Sequence, residues 1–170
     1  MKQLLVCLVA FAAAPAWANP APPSESHFRF KAPKGWKDQS PGDKSIFVVF
    51  TEETDRLVFQ ARVAPGGDPV SDEFLDKFAG DAEKSVVARV PGIKFTVISK
   101  ELVKLAGQPA ARFIFETLPP GDDPTPVRMV QFYLPARDQH AILTFTAPAA
   151  SFGKFLPQFD SIARATTVKK

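Results

Sequence analysis

Between the polar stretches "DQSPGDK" and "TEETD" lie the residues "SIFVVF", in which Ile46 to Phe50 are apolar without a break. A strand covered on one face alternates apolar and polar residues, so an unbroken run predicts a strand with both faces covered. That single run points to a sheet held between two layers. "RLVFQARV" follows "TEETD", and the two segments read as a hairpin. Upstream, "HFRFKA" sets Phe28 and Phe30 against Arg29 and Lys31 with the period of a half-buried strand. "PKGW" ends it, because Pro33 lacks a ladder donor and Gly35 permits a turn. This first strand pair is expected in the middle of the sheet, with the Gly-Trp corner closing one end.

After "APGGDPV" the period changes. In "SDEFLDKFAGDAEKSVVARV", Phe74, Phe78, Ala82 and Val86 fall at steps of four, and Leu75, Val87 and Val90 widen the stripe into one helical face. Ser71 is placed to cap the helix, Asp72 and Glu73 complement its positive end, and Pro91 with Gly92 stops it. Strand patterns resume in "IKFTVISKELVKL", where a change of phase near Lys100 predicts a bulge. "ARFIFETL", "VRMVQFYL" and "HAILTFTA" are three more strands, joined by "PPGDDPTP" and "PARDQ". From Ser151 onward, Phe152, Phe155, Leu156, Phe159 and Ile162 share a helical face, and Pro157 predicts a helix start or a kink. The expected fold is α+β: an antiparallel sheet of about seven strands with helices on both faces, an α/β/α sandwich whose core is supplied by the 16 phenylalanines.

The ends of the chain bear on compartment. "MKQLLVCLVAFAAAPAWA" carries one lysine, an apolar run too short to span a bilayer, and the small-x-small pattern Ala16-Trp17-Ala18, so residues 1–18 read as a cleaved signal peptide. Cys7, the only cysteine, lies inside that run and not after a small-residue cleavage point, which does not support lipid attachment. Once the signal is removed no disulfide is available. Residues 19–26, "NPAPPSES", read as a disordered Pro/Ser-rich lead, 27–166 as a single domain and 167–170 as a C-terminal tail. The expected location is therefore periplasmic or extracellular, with no stable membrane insertion after cleavage. A net charge of +3 without a basic stripe argues against nucleic acid as a partner.

"FRFKAPKGW", together with "GQPAARFIF", "VQFYLPARDQHAILTFTA" and "FLPQFDSI", resembles the PsbP-like and DcrB-type family of exported α/β/α sandwich domains across residues 27–165. The resemblance implies a scaffold used by photosystem accessory subunits, envelope proteins and adaptors, with no shared catalytic set to carry over.

Trp36, on a turn between Lys34 and Lys37, is a candidate binding anchor, weighed against a role in capping the end of the sheet. Asp122 and Asp123 in the Pro-rich 118–126 loop are the other candidate contact residues. His27 and His140, each at a strand start, lack metal-ligand spacing with any carboxylate such as Glu53 or Asp123. Glu52, Glu53 and Asp55 make a turn without the oxygen pattern of a calcium loop, and Asp68, Asp72 and Asp76 suit a helix start. No nucleophile elbow or phosphate loop occurs. The expectation is a non-enzymatic exported accessory domain, without cofactor or metal, that interacts with an envelope protein. The alternatives are a binder of small apolar ligands and an enzyme whose site only folding assembles.

Overall fold

In the computed structural model, residues 25–41, 47–122 and 124–169 are described. The expected signal peptide, most of the lead, Ile46 and Asp123 lie outside them. The strands are β1 (Phe28–Arg29), β2 (Lys37–Asp38), β3 (Phe47–Glu52), β4 (Leu57–Pro65), β5 (Lys94–Leu105), β6 (Gln108–Leu118), β7 (Val127–Ala136), β8 (Gln139–Pro148) and β9 (Thr167–Val168). The helices are α1 (Asp72–Arg89), after β4, and α2 (Ala149–Arg164), after β8. Seven strands form one antiparallel sheet in the order β2-β3-β4-β8-β7-β6-β5, and β1 pairs with β9 apart from it.

The helix starts follow from local chemistry. The Ser71 hydroxyl accepts the Phe74 N–H at 3.1 Å, the capping bond its position predicts. α2 begins directly out of β8, where the Ala149 N–H donates to the Pro126 carbonyl at 3.0 Å. Pro157 lies inside α2, so the start expected there is displaced to Ala149. The phase change expected near Lys100 is a register shift between Val97 and Ser99 in β5.

Each helix covers its own part of the sheet. Phe152, Phe155, Phe159 and Ala163 of α2 pack on Val48, Phe59, Leu143 and Phe145, with Phe59 and Phe145 stacked at 4.4 Å and Phe145 and Phe159 at 5.1 Å. On the opposite face, Phe74, Phe78 and Ala82 of α1 meet Phe113, Phe115 and Tyr133, with Phe78 stacked on Phe113 at 4.6 Å. The sheet is thus sandwiched, and the strands buried on both faces are β7 and β8.

This corrects the expected place of the first strand pair. β3 is second from the edge, and β1 is outside the main sheet. In β3, Val48 and Phe50 are buried while Phe47 and Val49 are only half-buried. The reason is that α1 packs over β5, β6 and β7, not over β3, so the apolar run meets a helix on one face only.

The domain also reaches further toward both ends than expected. Ser26 is buried, and the Gln139 side chain accepts the His27 N–H at 3.0 Å while donating to the Glu25 carbonyl at 2.6 Å. Thr167 and Val168, expected in a tail, pair with Arg29 and Phe28. A short buried strand such as β1 needs partners for its backbone groups, and these residues supply them.

Candidate functional site

The expected contact residues divide between two places. Gly35, at φ +84°, makes the corner that turns the chain into β2, and the Trp36 N–H donates to the Pro33 carbonyl at 3.2 Å. Trp36 is half-buried and packs against the core under α2. Lys34 is exposed, and Lys37 is exposed but ion-paired with Glu53 at 2.7 Å. Asp122 is exposed in the loop joining β6 and β7. The strand register puts this loop and the Trp36 corner at the same end of the sheet. β3, β4 and β8 stand between β2 and β7, however, a separation of about 19 Å at the usual strand spacing. Folding therefore keeps Lys34, Trp36 and Lys37 together and leaves Asp122 apart from them.

The two histidines are each engaged locally. His27 Nε2 donates to the Asp138 carboxylate at 3.0 Å, and this bond holds the Asp138 carboxyl below the usual carboxylate range. Ser26, next in sequence, exchanges hydrogen bonds with the Phe28 backbone, so its hydroxyl serves a turn. His140 Nδ1 donates to the Gly66 carbonyl at 2.8 Å, and its ring stacks on Tyr133 at 5.0 Å. Burial lowers the pKa of His140 and pushes the Tyr133 phenol up to about 12. The Tyr133 hydroxyl accepts the Asp68 N–H at 2.8 Å. Glu52 accepts the N–H groups of Asp55 and Thr54, a turn bond that lowers its pKa. Among the described residues no three potential ligands come together as a metal group.

A cleft of about 400 Å³ opens on the face of the sheet that carries α2. α2 lies over β7 and β8, leaving the same face of β5 and β6 beside it without a helix. Here the register sets Glu101, Arg112 and Phe132 side by side across three strands. Arg112 Nη1 donates to Glu101 Oε1 at 2.5 Å, its Nε donates to Asp160 Oδ1 of α2 at 3.2 Å, and its guanidinium lies 5.9 Å from the centre of the Phe132 ring. Val103 and Leu105 add apolar lining, Arg164 stands one helical turn after Asp160, and Lys104 lines the cleft from the edge strand. The Arg112 side chain is 14% exposed. Its position is fixed by two carboxylates and a ring, while a guanidinium has further N–H groups beyond the two used here.

None of these cleft residues stands out in the sequence as a site. Arg112 is the one charge inside "AARFIF", and that lone cation in an apolar run is the available signal. Nothing local ties it to Glu101 or Asp160, which only strand register and helix packing bring to it.

The site is a fixed polar cleft beside the open edge of an α/β/α sandwich. The chain matches no protein-family model and no curated protein. Among solved structures it is similar to the PsbP protein CyanoP of Synechocystis sp. PCC 6803, with a TM-score of 0.67 at 15% identity over 87% of this chain and 90% of that one. It is also similar to the Ran-binding protein Mog1p of Saccharomyces cerevisiae, with a TM-score of 0.56 at 12% identity over 84% of this chain and 90% of that one. A third similar structure is LpqN of Mycobacterium tuberculosis, described as involved in cell envelope biogenesis, with a TM-score of 0.50 at 14% identity over 84% and 83% of the two chains. The fold is PsbP-like, as the resemblance carried by "FRFKAPKGW" implied. Among the described residues no helix is long and apolar enough to cross a membrane.

Proposed function

We propose that the protein is an exported accessory domain, periplasmic or extracellular, that binds another cell-envelope component without carrying out chemistry. The observation that carries this reading is the fixed placement of Arg112 between Glu101, Asp160 and the Phe132 ring in an open cleft. A polar group already locked in position loses little freedom on binding, which favours recognition. Export is supported by the signal-like sequence of residues 1–18. A binding role is supported by the fold shared with a protein whose name is Ran-binding and with one involved in envelope biogenesis, although fold alone does not transfer function.

Of the contact residues expected from sequence, exposed Lys34 and Asp122 are open to a partner, and Trp36 and Lys37 would add the rim of the corner. The test is affinity purification of the tagged chain from its own cell envelope, followed by mass spectrometry. One dominant partner that survives a high-salt wash is expected. A clean preparation with no partner would overturn the accessory reading.

A further inference from the structure

We propose that the Arg112 cleft receives a carboxylate side chain of an acidic, extended segment of a partner polypeptide, laid along the free edge of β5. The proposal rests on the accessory-binding reading above and supplies its ligand chemistry. The charge of the cleft gives the sign. Glu101 and Asp160 are both engaged by Arg112, whereas Arg164 and Lys104 have no ion-pair partner among the described residues. The Lys104 side chain leaves the sheet on the other face, with Leu102, so within the cleft Arg164 is the cation without a carboxylate, and the complementary group is an anion. The guanidinium forks of Arg112 and Arg164 suit the planar, two-oxygen geometry of a carboxylate.

The edge strand indicates that the anion is part of a polypeptide. β5 ends the sheet order, so its outer backbone groups pair with no other described strand. The register shift between Val97 and Ser99 leaves the stretch from Ser99 to Leu105 as its regular edge. A strand added there points alternate side chains to the two faces of the sheet. One set reaches the cleft beside Val103 and Arg112. The other set meets the opposite face, where Leu102 stands 49% exposed. The segment that fits alternates acidic and apolar residues.

The test is a titration of the purified, isotope-labelled protein with acetyl-Val-Glu-Val-Glu-Val-Glu-Val-amide, followed by backbone amide shifts, with the glutamine-for-glutamate peptide as the neutral control. Shifts are expected at Ser99 to Leu105, Arg112 and Arg164, with the neutral peptide binding about tenfold more weakly, as loss of a charge-assisted contact implies. Arg164→Gln, on an exposed residue in the last turn of α2, should weaken the acidic peptide by a similar factor with an otherwise unchanged spectrum. Glu101→Gln should tighten it, because the variant removes a competing carboxylate from Arg112. Equal affinity for the two peptides, no binding of the acidic one, or shifts confined to α1 would overturn the proposal. So would free acetate at matched carboxylate concentration reproducing the shifts, since the site would then take a small anion. Capture of an envelope partner that is indifferent to Arg164→Gln would leave the accessory reading standing while this ligand chemistry falls.

Discussion

Arg112 sits where the sheet changes character, with Phe132 and Leu143 on one side of its row and Glu101 on the other. Removing the guanidinium while keeping an apolar stem, as in Arg112→Met, leaves Glu101 and Asp160 without their cation. An exposed ion pair would cost little, but a mostly buried guanidinium bonded on two sides should cost about 2 kcal/mol, seen as a lower urea midpoint. Adding Glu101→Gln and Asp160→Asn to that variant should recover most of the loss. Tyr133 makes a different demand. Burial raises its phenol from the ordinary 10.0 to about 12, so the unfolded chain ionises first as pH rises. Stability contributed by the neutral phenol is complete below pH 10 and is lost between about 10 and 12, with a slope of at most about 1.4 kcal/mol per pH unit. Tyr133→Phe should flatten that part of a pH series of urea melts. Phe74, Phe78 and Ser71 were legible as single residues, because helical period and capping are local. The Arg112 network was not, because its members come from β5, β6 and α2 and sequence spacing carries no trace of register.

The β5–β6 hairpin is closed by Ala106 and Gly107 alone, both with positive φ, at +49° and +77°. This is the backbone of a two-residue hairpin turn that favours Asn-Gly. Alanine in the left-handed region costs about 1 kcal/mol, so Ala106→Asn should raise the urea midpoint by roughly 0.5–1 kcal/mol of stability without altering the cleft. β5 itself is an edge with two kinds of protection, the irregularity after Val97 and lysines at positions 94, 100 and 104, of which Lys100 is tied to Asp76 of α1. The irregularity leaves the second half, which also carries Lys100 and Lys104, as the regular edge on which another strand could pair. Most strands were legible from period and turn residues, and the two long helices from their stripes. The misreading of β3 has a physical basis: "SIFVVF" satisfies the pattern of a doubly covered strand, yet coverage depends on where α1 lands, and α1 lands over β5, β6 and β7. β2 and β9, two residues each, are too short to carry a period at all.

The described residues form one sandwich in which residues 25–29 and 167–169 are drawn together. β1 and β9 pair on the side of the sheet that α2 covers, the Lys169 N–H donates to the His27 carbonyl at 2.7 Å, and Gln139 in the β7–β8 hairpin clasps the chain on either side of Ser26. Gln139→Ala removes both side-chain bonds of that clasp. Amide exchange at His27 to Arg29 and at Thr167 to Lys169 should then quicken by about tenfold while β7 and β8 keep their protection, as expected of a local opening. The edges of the sheet are β2, two residues long, and β5, and the proposal assigns β5, with the Arg112 cleft beside it, to the partner. The most direct test places a photo-crosslinking residue at Leu102 on β5 or, as a control of similar exposure, at Val87 on α1, in the full chain in its own cells. The prediction is a discrete protein adduct at Leu102 that Arg164→Gln abolishes, with none at Val87. Adducts at Val87 alone, or at neither position, would contradict it.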